Sequence, residues 1–167
     1  MLIPQKITSI DNFSLPLLLK NGATQEKLDL TGLNLNSDSI KYICESIQEN
    51  NCLTSLDLSC NQFDLKSSNH LFELLDKNHT LKSLSLRYTE IGKIQESKYL
   101  SEALKTNRNL TAIDLSFNYF DKESSKKLFE SLKYNFALIS LDLSNNRIDA
   151  KSLGNFFLFH SLLIRFW

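Results

Sequence analysis

Four stretches of the chain superimpose: Leu53-x-x-Leu56-x-Leu58-x-x-Asn61-x-Phe63, Leu81-x-x-Leu84-x-Leu86-x-x-Thr89-x-Ile91, Leu110-x-x-Ile113-x-Leu115-x-x-Asn118-x-Phe120 and Leu138-x-x-Leu141-x-Leu143-x-x-Asn146-x-Ile148. A looser copy precedes them, Gln25-x-x-Leu28-x-Leu30-x-x-Leu33-x-Leu35. The copies start at residues 25, 53, 81, 110 and 138, so the period runs 28, 28, 29 and 28. A fixed period of this length is the signature of a stacked-repeat architecture.

Each copy opens with apolar residues at alternate positions, which predicts a half-buried strand. Each continues with apolar residues three or four apart: Ile40, Ile43 and Ile47; Leu71, Leu74 and Leu75; Leu100, Ala103 and Leu104; Leu128 and Leu132. That spacing puts them on one face of a helix. Neither element hides its apolar face alone, and stacking the units buries all of them in one core. Asn61, Asn118 and Asn146 stand where the chain leaves the strand, and a carboxamide there pairs backbone groups that would otherwise be buried without partners. Thr89 is expected to do part of this work and Leu33 none. A second series, Asn50, Asn78, Asn107 and Asn135, is expected to end the helices.

Five phased copies over roughly residues 24–153 resemble the ribonuclease-inhibitor type of leucine-rich repeat. The resemblance implies an α/β solenoid, a right-handed horseshoe arc with a parallel sheet on its concave face and helices on its convex face. It also implies a surface that binds another protein. In composition, with serine, asparagine, lysine and phenylalanine in place of glycine and alanine, the repeats are also similar to those of intracellular bacteria. Some of those proteins are effectors delivered into host cells.

The expected organisation is an N-terminal cap over 1–23, repeats over 24–155 and an apolar helix or cap over 156–167. Phe13, Leu15, Leu17, Leu18 and Leu19 would supply the first cap, while Asp11 and Pro16 break what would otherwise read as a membrane anchor. Nine of the twelve residues from 156 to 167 are apolar. This segment reads as a cap helix, as a surface for self-association through Phe156, Phe157, Phe159 and Trp167, or as the start of a truncated repeat.

The 167 residues carry 19 Lys plus Arg against 19 Asp plus Glu, so no net charge favours nucleic acid or an anionic membrane surface. Cys44, Cys52 and Cys60 form no CxxC pair, and His70, His79 and His160 are scattered, which predicts neither a disulfide framework nor a zinc site. The start of the chain lacks the basic and apolar blocks of a signal peptide, and the odd cysteine count fits a reducing compartment. The expected location is therefore cytoplasmic, or a host cell if the protein is an effector. No cofactor is expected.

With the leucines turned inward, the residues between them form ladders across the repeats. One reads Asp29, Asp57, Ser85, Asp114, Asp142; the next reads Thr31, Ser59, Arg87, Ser116, Ser144. Beyond them run Gly32, Cys60, Tyr88, Phe117, Asn145 and Asn34, Gln62, Glu90, Tyr119, Arg147. The last, Lys27, Ser55, Ser83, Ala112, Ser140, is mostly small. Aspartates on adjacent strands, about 4.8 Å apart, repel by about 0.8 kcal/mol in water-like surroundings. The acidic ladder is either a strip for a basic partner or filler of the repeat. Arg87, Tyr88, Phe117, Tyr119 and Arg147 are stronger candidates, because aromatic residues and arginine dominate binding hot spots. Their bland alternative is rim packing. The partner surface is thus assigned to Asp57, Arg87, Tyr88, Asp114, Phe117, Tyr119, Asp142 and Arg147.

No catalytic motif occurs. Cys60 has no histidine at a matching position to activate it. The reading is a non-enzymatic protein-binding module. Its alternative is a regulator of GTPases, with Arg87 or Arg147 stabilising phosphate charge.

Overall fold

The computed structural model describes residues 25–48, 50–148 and 163–166. Strands and helices alternate through them: β1 (Lys27–Asp29), α1 (Ser37–Gln48), β2 (Ser55–Asp57), α2 (Leu65–Lys77), β3 (Ser83–Ser85), α3 (Ile94–Thr106), β4 (Ala112–Asp114), α4 (Lys122–Leu132), β5 (Ser140–Asp142) and β6 (Leu163–Arg165). The six strands form one parallel sheet in sequential order. Its register sets Leu28 beside Leu56, Leu56 beside Leu84, Leu84 beside Ile113 and Ile113 beside Leu141. Each helix packs on the next, α1 to α4, in a second layer.

The repeating apolar residues and the helical apolar residues named above are buried in one continuous cluster between the layers, except Leu33 and Ile148, which pack half-buried against it. The core needs its neighbours: a three-residue strand supplies one inward side chain, so burial comes from stacking. The step of 29 residues has a local cause. Gly92 is the extra residue, placed between Ile91 and α3, and its amide donates to the Asn118 carbonyl at 3.0 Å. A Cβ there would run into that carbonyl and lie 2.6 Å from the Phe120 amide nitrogen, so only glycine fits.

Two expectations need correcting. The strands are shorter than the alternation suggests, ending at Asp57, Ser85, Asp114 and Asp142. Beyond them the chain turns: Gly32, Cys60, Tyr88, Phe117 and Asn145 adopt left-handed φ values of 68°, 58°, 55°, 57° and 57°. The outer ladders therefore lie in turns, and the period-two rule does not apply to them. Ser59, Ser116 and Ser144, expected on the open face, are buried, while Arg87 in the same ladder is exposed.

The second point concerns the far end, where a cap helix, an association surface and a truncated repeat were all open. Of residues 156–167, Leu163–Arg165 form the sixth strand and not a helix. Leu163 pairs with Ser140 and Ile164 with Leu141, only 23 residues on. Ile164 and Phe166 alternate inward against the core, and the Phe166 ring meets Phe129 edge-on at 6.4 Å. The cap expected over 1–23, and Phe156, Phe157, Phe159 and Trp167, lie outside the described residues.

Candidate binding surface

The floor of the open sheet face is built from the acidic ladder. Asp29, Asp57, Asp114 and Asp142 are half-buried. Each carboxylate accepts the amide two residues on: Thr31 at 2.9 Å, Ser59 at 2.9 Å, Ser116 at 2.8 Å and Ser144 at 2.8 Å. These bonds tie off the turn after each strand, which gives the aspartates a folding role. Asp114 and Asp142 are neighbours, whereas Asp57 is separated from them by Ser85, whose hydroxyl bonds that of Ser59 at 2.7 Å.

The sequence reading missed a member of this ladder. Arg165 stands beside Asp142 in β6 and pairs with it at 3.7 Å. The shortened step hid it, although the alternation of Ile164 and Phe166 is the same inward signal as that of Leu141 and Leu143.

The rim of the sheet face is made by the turns. Two guanidinium groups lie over aromatic rings of the following or preceding repeat: Arg87 Cζ is 4.1 Å from the Phe117 centroid, and Arg147 Cζ is 5.2 Å from that of Tyr119. Exposed stacks of this kind contribute about 0.5–1 kcal/mol each. Arg87 also donates from Nη1 to the Ser116 hydroxyl at 3.2 Å. Tyr88 is joined to the same neighbour, its amide donating to the Ser116 carbonyl at 3.1 Å. The structure thus brings Arg87, Tyr88 and Phe117 together, with Arg147 and Tyr119 as a second pair.

The backbone at these positions is costly. Tyr88, Phe117 and Tyr119 hold φ values of 55°, 57° and 62°, in a region that bulky residues rarely occupy. Tyr88 is 56% exposed and Tyr119 43% exposed, so burial does not offset this cost. At the edge of the same turn Lys93 donates to the Glu90 carboxylate at 2.5 Å, which holds the ammonium above its usual range. Glu90 itself has a φ of 66°.

Burial pushes the Cys44 thiol far up, whereas Cys52 and Cys60 are free and exposed. Among the described residues no group of three or more His, Cys, Asp or Glu side chains is placed to hold a metal ion. No helix among them is long and apolar enough to cross a membrane.

This geometry agrees with comparisons to known proteins. A family profile described as Leucine Rich Repeat matches residues 49–66, 77–93 and 106–124, and a second of the same description matches 137–159. A mouse protein described as NACHT, LRR and PYD domains-containing protein 4E is 33% identical over 93 residues, 56% of this chain and 9% of that protein. The chain thus spans about a tenth of that relative. Among solved structures, leiomodin-1 actin-binding site 2 superimposes with a TM-score of 0.71 at 17% identity, over 87% of this chain and 86% of that one. A tropomodulin C-terminal domain from Caenorhabditis elegans gives 0.65 at 12% identity, over 81% and 83%. A Bacteroides fragilis protein gives 0.59 at 17% identity, over 83% and 40%. The chain carries leucine-rich repeats, and its fold is an α/β leucine-rich-repeat solenoid.

Proposed function

We propose that the chain is a non-enzymatic protein-binding module whose contact surface is the turn rim: Arg87, Tyr88, Phe117, Tyr119 and Arg147. Asp57, Asp114 and Asp142 form the floor behind it. The observation that carries this reading is Tyr88, more than half exposed and left-handed, at the position where two of the other four repeats place Gly32 and Asn145. Glycine and asparagine adopt that backbone at little cost. Tyrosine there sacrifices stability for an aromatic surface.

The size of the floor supports the same emphasis. Six strands about 4.8 Å apart, each three residues long at about 3.3 Å per residue, offer roughly 240 Å². A standard interface takes about 800 Å² from each partner. A stable complex therefore needs the turns. An actin-binding site on a protein of this fold is a precedent for protein recognition by such a scaffold.

The finer parts of the proposal are a repeat of ribonuclease-inhibitor-like type, from its 28–29 residue strand–helix unit, and a cytoplasmic setting. A bacterial effector acting on a host protein is the corresponding biological role.

Immobilised wild-type chain and the Arg87→Ala/Tyr88→Asn variant, each incubated with cell lysate, test the reading. A protein retained by the first and lost from the second is expected. The single Tyr88→Asn change should also raise the unfolding free energy, by about 0.5–1 kcal/mol. The same proteins retained by both forms would remove these residues from the interface. Accelerated GTP hydrolysis by a retained protein would move the reading to a GTPase regulator.

A further inference from the structure

On the helical face, sharing no residue with the rim, a groove of about 630 Å³ runs between α3 and α4. Its floor is Ser101 and Ser131, both buried. The repeat register explains the depth. Ser101 falls where α2 carries Phe72 and α4 carries Phe129, and Ser131 falls where α2 carries Leu74. Missing side chains open the notch.

Its walls are basic. Lys98, Lys105, Lys127 and Lys133 face Glu102 and Glu130. Lys127 pairs with Glu123 at 3.5 Å, whereas Lys98, Lys105 and Lys133 enter no ion pair among the described residues. The equivalent groove between α1 and α2 serves as an internal control. It measures about 170 Å³, and its two lysines, Lys41 and Lys77, are matched by Glu45 and Glu73. The gain of positive charge originates in the register: Gln48 and Asp76 occupy the column that becomes Lys105 and Lys133.

We propose that the α3–α4 groove docks an acidic segment of a partner protein, independently of the turn rim. Lys98 and Lys105 are seven residues apart on one helix, a separation of about 10.5 Å, or two turns. Carboxylates two turns apart on a partner helix match that spacing. Glu102 and Glu130, midway along the walls, repel a continuous polyanion, so a peptide with neutral residues between its acids fits better than nucleic acid. A flat membrane surface does not enter a notch. The side chain of Tyr134, with Lys105 Nζ 5.5 Å from its ring centroid, lines the groove and offers an apolar contact.

The test uses the full chain and a synthetic helix-forming peptide with glutamates two turns apart, followed by fluorescence anisotropy. Saturable binding that weakens with salt is expected. Lys98→Glu/Lys133→Glu should weaken it about tenfold or more. Ser101→Phe, which refills the notch as Phe72 and Phe129 do in their own repeats, should abolish it. The charge variant changes only exposed side chains, so it remains informative if Ser101→Phe fails to fold. Tyr88→Asn should leave it unchanged, which separates this surface from the rim. Absence of saturable binding, or equal affinity of wild type and charge variant, would overturn the proposal. Equal or tighter binding of single-stranded DNA or of anionic vesicles would overturn it too, in favour of a general anion patch.

Discussion

The carboxamide of Asn118 donates to the Leu86 carbonyl at 2.6 Å and that of Ser116 at 3.1 Å, and accepts the amides of Thr89 at 2.9 Å and Ile91 at 3.3 Å. Asn61 and Asn146 do the same for their neighbours. Thr89 keeps one such bond, from its hydroxyl to Leu86 at 2.8 Å, and there the Phe63 amide turns to the Thr89 backbone carbonyl at 3.1 Å. Removing Asn118 leaves several buried backbone groups unpaired, each costing about 1–3 kcal/mol. Asn118→Ala is therefore expected to lower unfolding free energy by about 3 kcal/mol or more, read from urea titration. Asn118→Thr should cost less, because Thr89 shows which bond a hydroxyl retains. A cost for Asn118→Ala no larger than that of an exposed substitution would contradict this account.

Among the helices, two are capped by aspartate. Asp64 accepts the Ser67 amide at 2.7 Å, and Asp121 accepts those of Glu123 and Ser124 at 3.0 and 2.9 Å in a capping box. Bonds from the Ser67 hydroxyl and amide hold the Asp64 carboxyl below its ordinary range, and the Ser124 amide does so for Asp121. A carboxyl depressed in the folded state binds protons less readily than in the unfolded chain. Its stabilisation is complete above the ordinary carboxylate pKa of about 4 and fades as pH falls through the folded value. Asparagine also caps helices but does not titrate. Thermal melts from neutral pH into the acid range should therefore show a smaller loss for Asp64→Asn/Asp121→Asn than for wild type. Parallel losses would show that these caps do not set the acid limit. At the other helix ends, Asn78, Asn107 and Asn135 donate to Ile47 at 3.1 Å, Leu75 at 2.6 Å and Leu104 at 2.5 Å. The asparagines that close one helix thus tie it to the helix before.

Across the whole molecule, stability is a sum over neighbouring units, so a residue's weight follows its place in the stack. Ile113 is buried between two strands, and Ile113→Ala is expected to cost about 3 kcal/mol. Ile164 is half-buried in the terminal strand. Ile164→Ala should cost about 1 kcal/mol, with the loss confined to β6. Amide exchange at Leu143, which donates to the Arg165 carbonyl at 2.7 Å, reports β6 directly. Faster exchange there, with unchanged exchange at Leu86, is the expected result; uniform acceleration would mean that the array unfolds as one block.

The repeat period determined the fold from sequence alone, because every twenty-eighth residue meets the same environment and only stacking buries such short elements. The same logic placed the helix faces and both asparagine series. It did not reveal that strands stop after three residues, since alternation of apolar residues continues through a turn whose φ values sequence spacing does not encode. Nor did it show Arg165 beside Asp142, where a shortened step breaks the period. Contacts between repeats, such as Arg87 over Phe117 or the notch above Ser101, depend on how neighbouring units lean together. Packing decides that geometry; the periodicity of the chain decides only that the units are neighbours.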